Sequence, residues 1–376
     1  MIYLDHNATT PVLPEVLERM LPYLRDHFGN PSSGHSYGRR AHDAVEHARA
    51  QVADLLGCSP DEIVFTSGGT ESNNLAIRGV TAALPERRHV ITSVIEHPAV
   101  ANPCNYLEQH GFEVTRVAVD ERGQVLPASV VSHVRDDTAL VTIMHANNEV
   151  GTIQPIRRIA QEAHASGRVL VHSDAAQSVG KVPVRVDDLD LDLLSVAGHK
   201  LYAPKGIGAL YVRRGTPLCP FTLGAGHERG LRPGTENVAS IVGLGVACRI
   251  ARETLQDESQ RVRSLRDQLW EQLKSGLAGI EINGHPSERL PNTLNVRFPK
   301  VRGSELLKIA SEIAASTGSA CHEGGESPSS VLLAMGLDAE SALGAVRLSL
   351  GRSTTTEQVR LAAEALIVAH RQLVHQ

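Results

Sequence analysis

Aromatic residues are nearly missing from this chain: Phe, Tyr and Trp together make up 3% of its 376 residues. A core of the size such a chain can bury must therefore rest on Leu, Val, Ile and Ala. Cysteine is sparse as well. The five cysteines (Cys58, Cys104, Cys219, Cys248 and Cys321) are odd in number and widely spaced, with no C-x-x-C, so neither a zinc site nor a dithiol redox motif is indicated. No uncharged apolar run approaches the ~18 residues that span a bilayer. The opening Met1-Ile-Tyr-Leu-Asp-His-Asn7 has neither the basic nor the apolar region of a signal peptide. Charge of one sign is lacking too: the net charge is −5, and no polybasic patch marks a nucleic-acid partner. These absences lead to the expectation of a reduced, soluble, cytoplasmic protein with no metal site, no nucleic acid and no membrane.

What is present is an alternation of helical patterns with short apolar strands, which argues for an α/β fold with a largely parallel sheet. Strands are expected at 61–66, 89–95, 113–119, 139–145, 168–173, 191–196 and 208–212, with the nearly continuous apolar runs of strands buried on both faces. A helix is expected over 39–56, ended by Gly57. After about residue 250 the pattern changes to a long polar helix, a half-buried strand at 292–298 and a Gly/Ser-rich loop before the final helix. The expected division is a large domain over 14–255 and a smaller α+β domain made of 1–13 and 256–376.

Several of the strands end on polar groups. Val169-Leu-Val-His-Ser-Asp174 ends on a lone carboxylate, and Leu191-Asp-Leu-Leu-Ser-Val-Ala-Gly-His-Lys200 ends on Gly-His-Lys. That pair suits one chemistry well: Asp174 keeps a pyridinium nitrogen charged, while Lys200 condenses with the aldehyde of pyridoxal phosphate. Taken singly, Asp174 also reads as a helix cap and Lys200 as a surface lysine. Thr66-Ser-Gly-Gly-Thr70 joins a strand to a helix start, either as a phosphate cup or as a tight turn. His97 stands where a strand stops, ahead of Pro98, either to stack on a ring or as a structural residue. Asn148 lies in a polar turn after another strand. Cys321 sits in a loop of small residues, Gly318-Ser-Ala-Cys-His-Glu-Gly-Gly325, that could bring a thiol to a substrate. Arg347 is placed to clamp a carboxylate or to make a structural ion pair.

Together these segments resemble the cysteine desulfurases, fold-type I pyridoxal-phosphate enzymes of the class V aminotransferase group. The resemblance runs from Tyr3-Leu-Asp-His-Asn-Ala-Thr-Thr10 to Arg347-Leu-Ser-Leu-Gly-Arg352. It rests on Thr66-Ser-Gly-Gly-Thr-Glu-Ser72, Met144-His-Ala-Asn-Asn-Glu149, Gly198-His-Lys200 and Gly318-Ser-Ala-Cys321, in that order. It implies a fold-type I transferase with a mostly parallel seven-stranded sheet. It also implies conversion of L-cysteine to L-alanine, with the sulfur held on Cys321 as a persulfide for iron–sulfur clusters or other sulfur compounds. By the same resemblance Lys200 is the cofactor lysine, Asp174 the pyridinium partner and His97 the stacking residue. Asn148 and Gln177 would tune the phenolic oxygen. Gly69, Thr70 and His199 would hold the phosphate, joined by Thr235 from the neighbouring subunit of a homodimer. Arg347, with Asn148, would receive the substrate.

Three features depart from the family pattern. Ala197 stands where many relatives have a serine, so one phosphate contact is expected to be missing. Cys321-His322 and Pro328-Ser-Ser-Val-Leu-Leu333 resemble selenocysteine lyases, which makes selenide release from L-selenocysteine the alternative activity. The sequence ends soon after its last helix, without the extension by which housekeeping desulfurases dock an iron–sulfur scaffold. A sulfur-acceptor protein is expected, of unknown identity.

Overall fold

The computed structural model describes residues 1–318, 320–322 and 325–375, with the backbone alone at 320–322, 325 and 326. Its centre is a seven-stranded sheet of β1 (Ile63–Thr66), β2 (His89–Ser93), β3 (Glu113–Val117), β4 (Thr138–Thr142), β5 (Leu170–Asp174), β6 (Leu193–Ala197) and β7 (Gly208–Val212), in the order β1-β7-β6-β5-β4-β2-β3. All neighbours run parallel except β7, which is antiparallel to both β1 and β6.

Both faces of this sheet are covered, which is why most of its strands read as nearly continuous apolar runs. Ile63, Phe65, Ile91, Val141, Leu194 and Tyr211 face one apolar cluster, which also takes in residues of α1 (Pro14–Arg25) and α2 (Ser36–Leu56). Their chain neighbours Val64, Val90, Leu140, Leu193 and Leu210 face a second cluster, with α3 (Gly69–Ala83) and α4 (Pro98–Gln109). Strand β3 differs from the expected buried run: it is the edge of the sheet and is largely exposed, because no strand lies beyond it. α2 ends at Gly57, which takes φ 72, as a residue without Cβ can.

A further helix, α5 (Ile156–Ser166), precedes β5, and α6 (Val238–Gly276) runs for 39 residues. The expected polar helix from 250 is thus the second half of a longer one whose first half is buried, and residue 255 lies inside it. Beyond it, β8 (Glu281–Asn283), β9 (Thr293–Arg297) and β10 (Ala345–Ser349) form an antiparallel sheet in the order β10-β9-β8. The final helix α7 (Thr356–Val374) packs over a separate apolar cluster. That cluster joins Ile2 and Leu4 to Leu265, Leu269, Val296, Phe298, Leu348 and Leu366. Strand β9 is buried on both faces rather than one. Leu294 and Val296 enter this cluster, while Thr293 and Asn295 turn towards the loop after β4, where Asn295 Nδ2 donates to the Glu149 carbonyl at 3.2 Å.

Cys321, expected in a loop, lies on a short hairpin of Ala320–His322 with Gly325–Ser327. Ala-Cys-His and Gly-Glu-Ser contain no β-branched residue, so neither strand had a sequence signal. The Cys321 side chain lies outside the described residues. No helix among the described residues is long and apolar enough to cross a membrane.

Candidate active site

The carboxyl ends of the parallel strands deliver their polar residues to one side of the large sheet, where α/β folds bind ligands. β2 leads to Glu96 and His97, β4 to Asn148, β5 ends on Asp174, and β6 runs into a turn, Gly198–Lys200. His97, Asn148, Asp174 and Lys200 line a cavity of about 380 Å³, together with Gly69, Thr70, Gln177, His199 and Arg347, while Glu96 lies outside it. Thr235 does not join them. It borders a separate cavity of about 150 Å³, with Ser67, Gly206 and Arg232.

Helix α3 begins at Gly69 with no side chain capping it, so the N–H groups of its first turn face the cavity without a cap. Gly68 takes φ 148, and a Cβ on Gly208 would lie 2.7 Å from the Gly68 Cα, so both positions require glycine. Asp174, only 7% exposed, accepts from Asn73 Nδ2 at 2.7 Å and from the Ala176 N–H at 2.9 Å. The Asn73 Oδ1 is buried without a partner. His97 caps α4 through Nδ1, which accepts from the Ala99 N–H at 3.1 Å, so its ring proton belongs on Nε2. Burial lowers the His97 pKa, while Asp174 opposes that shift.

The Lys200 ammonium donates to the carbonyls of Asn7 at 2.6 Å and Ala8 at 2.7 Å. Burial, and then Arg347, bring its pKa down to about 8, with Asp5 and Asp174 pulling the other way. His199 contacts Thr9 Oγ1 at 3.2 Å, and burial together with Lys200, Lys205 and Lys181 lowers it to about 4. Arg347, on β10, donates from Nη2 to Asp5 Oδ1 at 2.7 Å and from Nη1 to the Asn148 carbonyl at 3.1 Å.

Five residues here had no reading in the sequence. Asp5 pairs with Arg347. The fully buried Asn7 also accepts from Gln177 Nε2 at 3.0 Å through its carbonyl. Ala8 receives Lys200. Lys181 donates to Gln177 Oε1 at 2.9 Å, and burial sets its pKa well below the usual lysine value. Glu96 accepts through Oε1 from Ser93 Oγ at 2.6 Å and from the Met144 N–H at 3.0 Å. Its Oε2 is buried with no partner among the described residues, and burial pushes the acid up to about 8. A signal did exist for the first two. Asp5-His6-Asn7 follows the apolar Ile2-Tyr3-Leu4, the same strand-then-polar pattern as the other site segments.

An uncapped helix start, an enclosed carboxylate, a strand-end imidazole that accepts at Nδ1 and a lysine of lowered pKa fit pyridoxal phosphate group by group. The donors left open at α3 suit a phosphate, and Asp174 suits a pyridinium nitrogen. No group of three or more His, Cys, Asp or Glu among the described residues is arranged to hold a metal.

Comparison with known proteins agrees with this fit. The description "Aminotransferase class-V" matches residues 2–361. Cysteine desulfurase IscS of Dictyoglomus turgidum is 46% identical over 368 residues, covering 97% of this chain and 93% of the relative. Cysteine desulfurase IscS of Escherichia coli O139:H28 is 47% identical over 365 residues, covering 95% and 90%. Among solved structures, a NifS-like protein superposes with a TM-score of 0.92 at 41% identity, covering all of both chains. SspA in complex with cysteine gives 0.83 at 42% identity, covering 93% of this chain and 99% of that one. This chain therefore belongs to the class V aminotransferase family and, within it, to the pyridoxal-phosphate-dependent cysteine desulfurases.

Proposed function

We propose that the Lys200 cavity takes L-cysteine, leaves L-alanine and passes the sulfur to Cys321 as a persulfide. The observation that carries this reading is the convergence of Lys200, Asp174, His97, the open start of α3 and Arg347 on one cavity. Pyridoxal phosphate, when bound, supplies the electron sink that makes the carbon beside the substrate's amine acidic. Gly69, Thr70 and His199 hold its phosphate, Asp174 keeps its ring nitrogen protonated, His97 stacks on the ring, and Asn148 and Gln177 donate to the ring oxygen. Lys200 takes and returns the proton, a task suited to an amine whose pKa lies near the working pH. Arg347, beside Asn148, holds the substrate carboxylate. The Cys321 thiolate then attacks the substrate sulfur. The C–S bonding pair stays with carbon, which a proton completes as alanine, and the sulfur remains on Cys321.

Two of the relatives named above are cysteine desulfurases, a third is NifS-like, and SspA was solved with cysteine, which favours cysteine over the selenocysteine-lyase alternative. The working unit in this reading is a homodimer in which Thr235 reaches the partner's cofactor site. Its place outside the cavity of its own chain supports that. A large domain over 14–255 and a small one made of 1–13 and 256–376 fit the separate apolar cluster of the second part. A reducing cytoplasm suits Cys58, Cys104, Cys219 and Cys248, none of which is in a disulfide. A sulfur-acceptor protein completes the cycle.

The test is alanine production by the cofactor-loaded protein, with L-cysteine and L-selenocysteine in parallel. Alanine from cysteine, with the persulfide lost in Cys321→Ser while the bound cofactor's colour stays, is the expected result. Alanine from selenocysteine alone, or sulfide release by Cys321→Ser at the wild-type rate, would overturn it.

A further inference from the structure

The guanidinium assigned to the substrate carboxylate already holds a carboxylate of its own chain. Arg347 is 6% exposed and lines the Lys200 cavity. Asp5 meets Nη2 through one oxygen, Oδ1, at 2.7 Å, and the Asn148 carbonyl takes one N–H of Nη1 at 3.1 Å. A guanidinium has five N–H donors, so these two bonds leave the Nε–H and one further N–H on each of Nη1 and Nη2 for other acceptors. The Nε is buried and has no partner among the described residues. A donor left in that state in an enclosed site awaits an acceptor, and a guanidinium presents its N–H groups in parallel pairs along its edges. Two adjacent parallel donors are what a carboxylate binds through both oxygens.

Asp5 is itself held firmly. Its backbone bridges to Ser349, two residues beyond Arg347 on β10. On its two sides, the Ser349 N–H donates to the Leu4 carbonyl at 2.7 Å and the His6 N–H donates to the Ser349 carbonyl at 3.1 Å. The Tyr3 hydroxyl closes the turn on the carbonyls of Asp5 at 3.1 Å and Thr9 at 2.9 Å. The Asp5 carboxyl is thus fixed relative to the strand that carries Arg347. A free aspartate would compete with the substrate for the fork. One bound through a single oxygen, from a fixed backbone, instead pins the guanidinium in one rotation.

We propose that Asp5 is a positioning residue for the substrate carboxylate: it holds Arg347 by one Nη2 donor and so fixes the guanidinium in place at the cavity it lines. This rests on the assignment of Arg347 as the carboxylate clamp. Asp5→Ala leaves Arg347 free to rotate and should raise KM for L-cysteine by about tenfold with kcat little changed, since the interaction is one of binding and orientation. Asp5→Asn keeps an oxygen acceptor for Nη2 and should restore KM to near the wild-type value.

The experiment compares Asp5→Ala, Asp5→Asn and Arg347→Ala as cofactor-loaded proteins. For each it measures KM and kcat with L-cysteine and with cysteamine, which lacks the carboxylate, together with equilibrium binding of L-alanine and the melting midpoint. The expected result is weaker L-alanine binding and poorer discrimination against cysteamine in Asp5→Ala and Arg347→Ala, with both restored in Asp5→Asn. If Arg347→Ala leaves KM and L-alanine binding unchanged, the clamp assignment itself fails. If Arg347→Ala behaves as expected but Asp5→Ala binds L-alanine as the wild type does, the positioning role is overturned. A fall in kcat and melting midpoint in Asp5→Ala, with KM unmoved, would reduce Asp5 to a structural tie and overturn it too.

Discussion

Replacing Glu96 by Gln should make the protein relatively more stable as the pH rises. The acid lies next to His97, with one oxygen bonded to Ser93 and Met144 and the other enclosed without a partner. Burial raises its pKa from the ordinary 4.5 to about 8, more than its two hydrogen bonds lower it, and Asp174 adds to the rise. The folded protein therefore keeps a proton that the unfolded chain loses above the ordinary value. Wherever the unfolded state binds fewer protons, stability falls with rising pH. The contribution of this carboxyl is fully present below pH 4.5 and is lost as the pH climbs towards 8. At about 1.4 kcal/mol per pH unit, the loss between about pH 5.5 and about pH 8 is roughly 3 kcal/mol. Glutamine keeps the accepting oxygen and the shape but has no proton to lose. The melting midpoint of Glu96→Gln should therefore gain on that of the wild type by roughly 5 °C over this interval. Both cofactor-loaded proteins would be followed by calorimetry at the two pH values. A gap that is the same at both would refute the claim that the folded state holds Glu96 protonated.

Three other outcomes follow from the described geometry. Lys200→Ala should abolish the visible absorbance of the bound cofactor, and an unchanged spectrum would count against that lysine. Ala197→Ser should slow cofactor release up to about fivefold by adding a hydroxyl near Gly69, worth about 1 kcal/mol; release as fast as in the wild type would show that the hydroxyl makes no contact. Glu228→Ala should cost about 3–5 kcal/mol in denaturant unfolding, because Glu228 holds the buried Arg49 through two bonds of 2.8 Å and accepts from the Phe65 N–H. Replacing Arg49 by Met in the same chain should recover much of that loss, and no recovery would mean that the unpaired charge is not its source.

The sheet was legible because its strands are short, apolar and bounded by turn residues. All seven expected strands form, within two or three residues of their expected limits. Burial on both faces writes itself into β1, β4 and β6 as nearly continuous apolar stretches, broken in β6 only by Ser195, and the edge position of β3 does not, since pairing order leaves no local trace. The cavity was legible where a reactive side chain ends a strand, as at Asp174 and Lys200. It was not legible where the contribution is a main-chain carbonyl, as at Asn7 and Ala8, because every residue type offers one. Lys181 was hidden for another reason. A lysine after Val179-Gly180 reads as an exposed turn residue, and only the tertiary structure encloses it against Gln177 and Asn7. The Cys321 hairpin escaped notice because small residues give strands no preference.

The pairing of Asp5 with Arg347 spans 342 residues of chain. A ribosome adding ~5–20 residues per second needs roughly 20–70 s to travel that distance. Throughout that interval the nascent amino terminus has neither β10 to pair with nor Arg347 to meet, although Asp174 and Lys200 are made well before it ends. The large sheet can fold first, but its catalytic mouth stays unfinished until the opposite end of the polypeptide arrives. Loss of β10 would therefore leave a well-formed sheet whose amino-terminal segment over the lysine lacks its ties to Arg347 and Ser349.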